Sequence, residues 1–384
     1  MTHRITAIPA LIAGSILAIG LAGCASPEAS ETEGISVVAT TTQVADFTVQ
    51  VAGDAAQVTS LLKPNQSSHS FDPTAADLAA LADADVLVIN GAGLEEWLDS
   101  AIEASGFAGT TIDASSGVVL MEFAEGDDHA HEGEEAHSEE AHSEEAPAGE
   151  VHDHDHSHDE AAHQDEAQPA EAQPAETQPA ETQPADEHDH EHSGEDPHIW
   201  TSAGNSIGMV EAIADGLAEV DAANAEAFAS NAAAYIAQLE VLDAWIIENM
   251  DQVDPTDRLL VTNHEAFGYF VDAYGVTFVG AVIPSFDDNA EVSAADIDTL
   301  VDAIRVSGAP AVFSETSLSP AAAKTIADEA GVAVFSGDDG LFGDSLGIAG
   351  GPGETYIGSM IHNVSVLVQA WGSTPTAVPA ELTQ

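Results

Sequence analysis

Residues 222–250 read Ala222-Ala223-Asn224-Ala225-Glu226-Ala227-Phe228-Ala229-Ser230-Asn231-Ala232-Ala233-Ala234-Tyr235-Ile236-Ala237-Gln238-Leu239-Glu240-Val241-Leu242-Asp243-Ala244-Trp245-Ile246-Ile247-Glu248-Asn249-Met250. The stretch is rich in alanine, the best helix former, and contains neither proline nor glycine. Phe228, Tyr235, Leu239, Leu242 and Ile246 fall at helical steps and share one face. This predicts one unbroken helix about 42 Å long at 1.5 Å per residue. Asp254-Pro255 stops it, because the residue before a proline avoids helical backbone.

On either side of this helix, short apolar runs alternate with helical periodicity. Upstream, Ile35-Ser36-Val37-Val38-Ala39-Thr40 is a β-branched run, and Val86-Leu87-Val88-Ile89-Asn90 reads as a buried strand. Residues 74–84 between them carry apolar side chains at helical spacing, and Gly91 and Gly93 mark the exit from the second strand. Downstream, strands are expected at 259–262, 277–280, 311–314 and 332–335, with helices at 265–274, 293–307, 319–330 and 354–370. Such alternation means βαβ units and parallel sheets. The expected fold class is α/β: two β/α lobes with parallel sheets, joined by one long rigid helix.

Residues 125–196 interrupt this pattern. They hold 26 acids and 12 histidines, no lysine or arginine, and hardly an aliphatic residue beyond alanine. His137-Ser138-Glu139-Glu140-Ala141 recurs at His142, and Gln168-Pro169-Ala170-Glu171 recurs at Gln173 and Gln178. Low hydrophobicity with high like charge cannot support a core, so a disordered surface insertion is expected. Over the whole chain, 68 acidic residues face 5 basic ones, a formal charge of −63. That excess disfavours nucleic acid and anionic membrane surfaces as partners. It equally suits a solubility adaptation to salt.

The first residues point to export. Arg4 precedes an apolar run, 8–21, that is shorter than the roughly 20 residues a membrane span needs. Leu21-Ala22-Gly23-Cys24 follows the lipobox pattern of bacterial lipoproteins, and Cys24 is the only cysteine, so no internal disulfide can form. The expected organisation is a signal peptide at 1–23, a tether at 24–34 acylated at Cys24, and a first lobe at 35–221 carrying the insertion 125–196. The linker helix at 222–251 and a second lobe at 252–384 complete it. The lipid would hold the protein on the outer face of the membrane.

Outside the signal and the insertion only His69, His198, His264 and His362 remain. The first three fall after strands or in loops at their carboxyl ends, where functional groups sit in α/β folds. His264 follows the 259–262 strand by two residues. His198 lies in Asp196-Pro197-His198-Ile199-Trp200, and His69 in Ser67-Ser68-His69-Ser70-Phe71-Asp72-Pro73-Thr74 ahead of a helix. Singly, each reads as an ordinary surface or core histidine. Three of them, from different parts of the chain, point to convergence. Asp344, in Gly340-Leu341-Phe342-Gly343-Asp344-Ser345-Leu346-Gly347, is placed to accompany them.

With these segments, Asn90-Gly91-Ala92-Gly93-Leu94-Glu95, Asn263-His264-Glu265-Ala266-Phe267-Gly268, Phe313-Ser314-Glu315 and Met360-Ile361-His362-Asn363 complete a set. In order and spacing the set resembles the solute-binding lipoproteins of ABC-type importers for zinc and manganese. The resemblance covers nearly the whole mature chain outside the insertion. It departs at Ser67-Ser68, where the family often has Asp-Pro, and at Glu291-Val292-Ser293, where Glu-Pro-Ser is usual. It implies His69 and His198 from the first lobe, with His264 and Asp344 from the second, as metal ligands in the interlobe cleft. It also implies an ABC-type metal permease as partner, a monomer, and no enzyme.

Three imidazoles and a carboxylate suit tetrahedral zinc, whereas manganese prefers more oxygen. Members that carry manganese commonly have glutamate where this chain has His264. Glu265 should point elsewhere on its helix, and His362 reads as a packing residue. In the insertion, His129, His131, His137, His142, His152, His154, His156, His158, His188, His190 and His192 alternate with acids and read as secondary weak metal sites. Three alternatives stand beside zinc capture. One is manganese or ferrous iron capture on the same fold, and another is a cell-surface adhesin or passive zinc store. The third is a metal-dependent hydrolase with Glu265 as base, but there is no Gly-x-Ser-x-Gly elbow and no phosphate loop.

Overall fold

The computed structural model describes residues 34–121 and 194–383. The signal segment, Cys24 and the insertion histidines lie outside them. The first half of the chain forms β1 (Ile35–Ala39), α1 (Thr42–Ala52), β2 (Ala56–Ser60), α2 (Ala75–Ala82), β3 (Val86–Ile89), α3 (Leu98–Ser105), β4 (Thr110–Asp113) and α4 (Ala203–Val220). Its sheet is wholly parallel, in the order β2-β1-β3-β4. The helix α5 (Ala225–Met250) follows. The second half forms β5 (Leu259–Thr262), α6 (Gly268–Tyr274), β6 (Thr277–Ala281), α7 (Ala294–Ser307), β7 (Ala311–Phe313), α8 (Ala321–Ala330), β8 (Ala333–Phe335) and α9 (Tyr356–Ala370). There β5 pairs with β6 and β7 with β8, again in parallel.

Strand side chains alternate between two buried faces, as parallel sheets covered on both sides require. Val37, Ala39, Val86 and Val88 face one core while Val38 and Leu87 face a smaller one under α2 and α3. In the second half, Leu260, Ala311 and Phe313 face the same first core, and Leu259, Val261 and Val312 face a separate one with α7 and α8. The inner faces of both halves therefore drain into one continuous apolar core. Helix α5 threads it with Phe228, Tyr235, Leu239, Leu242, Trp245 and Ile246, all buried. Phe47 of α1 meets Tyr356 of α9 edge-on, ring centroids 4.8 Å apart. The Tyr356 N–H donates to the Asp46 carboxylate at 3.0 Å, so the last helix is fastened to the first.

The structure corrects three boundaries. Helix α5 begins at Ala225, not Ala222, because the Asp221 carboxylate accepts from Ala223 N–H and Asn224 Nδ2 and holds a turn there. Residues 265–267 are not helical: Glu265 N–H donates across to Ser285 O at 3.1 Å, and α6 starts only at Gly268. Asp196, assigned to the insertion by composition, is buried and its N–H donates to Met121 O at 2.9 Å. Met121 and Asp196 are thus joined across the undescribed segment between them. Among the described residues no helix is long and apolar enough to cross a membrane.

Candidate metal centre

His264 leaves β5 under tight control. The Thr262 hydroxyl donates to His264 O at 2.6 Å, and Asn263 Oδ1 accepts from Glu315 N–H at 3.1 Å, tying the ends of β5 and β7 together. The ring donates Nδ1–H to Glu315 Oε1 at 2.7 Å. His198 is held likewise: its backbone N–H and its Nδ1–H both reach Asp196 Oδ1, at 2.9 and 2.8 Å. Trp200 packs edge-on against it, centroids 5.4 Å apart. A carboxylate on Nδ1 fixes the tautomer, leaves the Nε2 lone pair free and makes it more basic. His69 sits in the loop before α2, with its N–H on Ser67 Oγ at 3.1 Å and the preceding Ser68 O accepting from Trp97 Nε1 at 3.1 Å.

Asp344 belongs to the second half but is aimed by the first. On one side of it Gly343 O accepts from Gln43 Nε2 at 2.9 Å and from Trp200 Nε1 at 3.0 Å. On the other, Ser345 Oγ accepts from Asn65 N–H at 2.8 Å, and Leu346 N–H donates to Thr42 Oγ1 at 2.8 Å. Position 343 must be glycine, since a Cβ there would lie 2.0 Å from Glu315 Oε2.

The four side chains converge. Their ligand-type atoms all lie within 4.8 Å of one another, and three of the four residues are buried. His69 Nε2 is 3.1 Å from His198 Nε2 and 3.6 Å from Asp344 Oδ2. Asp344 Oδ1 is 3.5 Å from His198 Nε2 and 3.4 Å from His264 Nε2. These are too long for charge-assisted hydrogen bonds, which run about 2.7–2.9 Å. Both Asp344 oxygens and His264 Nε2 are buried with no hydrogen-bond partner. A buried carboxylate without hydrogen bonds costs several kcal/mol unless positive charge faces it. A tetrahedron with arms of about 2.0–2.1 Å has edges of about 3.3–3.4 Å, so the spacing matches donors arranged around one cation.

The electrostatics agree. Burial, aided by the fields of His198 and His264, lowers His69 to about 4 against the pull of Asp344, so its ring is neutral at pH 7. Burial would also lower His264, but the Glu315 and Asp344 carboxylates outweigh it and raise its pKa well above the imidazole range. Burial raises Glu315, so this pair holds a proton firmly between its two members. Asp344 is lowered: burial opposes ionisation, and His264 and the other two rings overcome it.

Two other residues fall outside the cluster. Glu265 is only partly buried, its pKa raised by burial and by Asp196. His362 donates Nε2–H to Gly340 O at 2.9 Å and packs edge-on to Phe342, supporting the Asp344 loop from behind. Sequence reasoning missed the work of Asp196, Glu315, Gln43 and Thr42. The signal for Glu315 was present, an acid immediately after a buried strand, but its partner lies 51 residues away.

The sequence matches the family model described as ZnuA, zinc-uptake complex component A periplasmic, over residues 37–370. The chain belongs to the ZnuA family. Its relatives include the manganese-binding lipoprotein MntA of Halalkalibacterium halodurans, 26% identical over 356 residues that span 92% of this chain and 95% of MntA. The zinc-binding lipoprotein AdcA of Streptococcus pneumoniae serotype 4 is 27% identical over 376 residues, 97% of this chain and 62% of AdcA. Other relatives carry iron-binding names. The solved structure of the periplasmic zinc binding protein TroA from Treponema pallidum has the same fold: TM-score 0.65 at 22% identity, covering 88% of this chain and 99% of TroA. ZnuA-family proteins are metal-binding, substrate-binding components of ABC-type importers and not enzymes.

Proposed function

We propose that this protein captures Zn2+ outside the cytoplasm through His69, His198, His264 and Asp344 and delivers it to an ABC-type metal permease. The observation that carries the reading is the buried, partnerless Asp344 carboxylate facing three imidazole nitrogens at 3.4–3.6 Å. Three nitrogens and one oxygen at tetrahedral-edge spacing suit zinc, which has no preference for added oxygen. With all four positions filled by protein, no water is left to activate, in keeping with carriage and not hydrolysis. One observation favours a second metal class. Asp344 presents Oδ1 to His198 and His264 but Oδ2 to His69. A carboxylate using both oxygens gives a five-donor site of the kind manganese or ferrous iron accepts.

Metal analysis of protein purified without added metals, followed by zinc-against-manganese competition, decides between them. One tight zinc per molecule that manganese cannot displace is the expected result. Replacing His198 or His264 by Ala should weaken zinc by orders of magnitude, and unchanged affinity in both variants overturns the ligand set.

The remainder of the reading rests on sequence. Cys24 carries the lipid that holds the protein at the outer membrane face, as in relatives named lipoproteins, and Cys24→Ala should release it to the medium. The histidines at His152 to His158, His188 to His192, His129 and His131 serve as a weaker zinc reserve that empties as pH falls through about 6.5. Zinc titration of intact and insertion-deleted protein at about pH 7.5 and 5.5 tests this, the deletion being expected to keep one tight site. The protein acts as a monomer, which sedimentation checks.

A further inference from the structure

The two fully buried imidazoles of the cluster come from opposite halves of the chain, yet their supports meet. His264 and Tyr269 stand five residues apart, on the segment that leaves β5 and enters α6. His198 stands two residues after Asp196, whose Oδ1 accepts from both its backbone N–H and its ring. The two rings lie edge-on, centroids 5.3 Å apart. Between the segments that carry them stands the Tyr269 hydroxyl. It donates to Asp196 O at 3.0 Å and accepts from Met121 N–H at 3.0 Å, while Asp196 N–H donates to Met121 O at 2.9 Å.

Three bonds thus close a ring through Met121, Tyr269 and Asp196. Tyr269 is 2% exposed and Asp196 3%, so water cannot take the place of a lost hydroxyl. Burial, with the Asp196 charge, pushes the phenol up to about 12, so it remains a donor throughout the neutral range. The first turn of α6 also closes on the carboxylate: a Cβ at Gly268 would lie 2.3 Å from Asp196 Oδ2. Asp196 is therefore held at its carbonyl by Tyr269 and confined at its carboxylate by Gly268. Both belong to the half of the chain that supplies His264. A carboxylate that orients a histidine can do so only if it is itself fixed, since otherwise the ring turns with it.

We propose that Tyr269 is a positioning residue for His198: its hydroxyl sets the Asp196 backbone and, through the Asp196 carboxylate, the direction of the His198 Nε2 lone pair relative to His264. This rests on the four-ligand reading above, and Tyr269 itself does not touch the metal. The two halves then aim each other's side chains. The first half directs Asp344 through Gln43, Thr42 and Trp200, and the second directs His198 through Tyr269.

The test measures Zn2+ affinity of the full chain, stripped of metal, by competition with a chromophoric chelator. Tyr269→Phe keeps the buried ring and loses only the hydroxyl. Loss of a ligand's outer partner costs about 10–100-fold in metal affinity, so one step further out a weakening of about tenfold is expected. Tyr235→Phe, the control, removes a buried hydroxyl bonded to Asp46 and should leave zinc affinity unchanged. Both variants should lose some stability to denaturant, and only Tyr269→Phe should lose zinc affinity; equal zinc affinities in the two overturn the positioning role. Groups that act through one another are not additive. Asp196→Asn with Tyr269→Phe should therefore bind zinc no more weakly than Asp196→Asn alone, and fully additive losses overturn the proposal as well. A His264→Ala arm separates the two levels: if it keeps the tight zinc, the four-ligand reading fails and the role of Tyr269 with it. If it loses zinc while Tyr269→Phe binds like wild type, only the positioning role is wrong.

Discussion

Replacing Glu315 by Gln is the most informative single change, because it leaves all four proposed ligands in place. Glu315 Oε1 accepts from His264 Nδ1 at 2.7 Å with both side chains fully buried, so no water can substitute for it. Gln keeps the shape and one oxygen but loses the charge. If its oxygen faces the ring, the tautomer survives and only ligand basicity falls. If its amide faces the ring, Nδ1 becomes the acceptor, the proton moves to Nε2, and the lone pair needed for metal is gone. A second effect runs the other way. The Glu315 charge helps raise the His264 pKa, and a proton held there must leave before metal can bind. Removing the charge eases that competition but cannot restore a blocked lone pair. Loss of such an outer partner costs about 10–100-fold in metal affinity, or about 1.4–2.7 kcal/mol. Competition against a chromophoric zinc chelator at pH 7.5 measures it directly. The same change makes a pH signature. A raised histidine pKa contributes stability that is complete below the ordinary value of 6.5 and is lost as pH climbs through the raised one. Metal-free wild type should therefore lose stability on the alkaline side, and Glu315→Gln should lose it earlier. Wild-type zinc affinity together with an unshifted pH–stability curve in Glu315→Gln would refute the orienting role.

Other outcomes follow from the same geometry. Gly343→Ala puts a Cβ 2.0 Å from Glu315 Oε2, so the Asp344 loop must shift; zinc binding should weaken at least tenfold and unfolding by denaturant should register a loss of about 1–3 kcal/mol. Glu95 is raised by burial from 4.5 to about 6, against hydrogen bonds from Thr40, Asn90 N–H and Gly91 N–H. Between those pH values the folded state binds more protons than the unfolded, so stability falls as pH rises, by about 2 kcal/mol at 1.36 kcal/mol per pH unit. Glu95→Gln should flatten that part of a pH–denaturation series. Metal-free and zinc-loaded protein lacking residues 125–193 should give nearly equal radii of gyration by small-angle scattering. Helix α5 has no glycine or proline to bend at and is packed into both halves, so a change of several ångströms would reveal a hinge elsewhere.

What the sequence disclosed follows the reach of its signals. Helix α5, β1, β3 and β5 carry their own periodicity, so they were legible. Helix α4 was not, although it has 18 residues, because Gly204, Gly208 and Gly216 dilute its pattern. The reason for two of them is tertiary: a Cβ at Gly208 would lie 2.4 Å from Gly117 O, and one at Gly216 would lie 2.7 Å from the Ile112 side chain. Residues 265–267 looked helical locally and are kept out of the helix by a bond from Glu265 N–H to Ser285 O, 20 residues on. The four converging side chains could be named because their surrounding segments are distinctive. Their supports could not, since Asp196, Glu315 and Gln43 gain their meaning only from partners the fold delivers.

The bond from Gln43 to Gly343 spans 300 residues, and the one from Thr42 to Leu346 spans 304. The fourth corner of the site is thus set by side chains near the start of the described residues, and contacts so distant in sequence form late because their loop entropy must be met first. A chain emerging through a membrane amino end first would present His69, His198 and then His264 before Asp344 can be aimed at them. By then it carries three of the four converging side chains and no cage. If the four residues hold the metal as proposed, high-affinity capture switches on only with completed folding, and a half-exported or carboxyl-truncated molecule cannot lock metal away from the intact copies beside it.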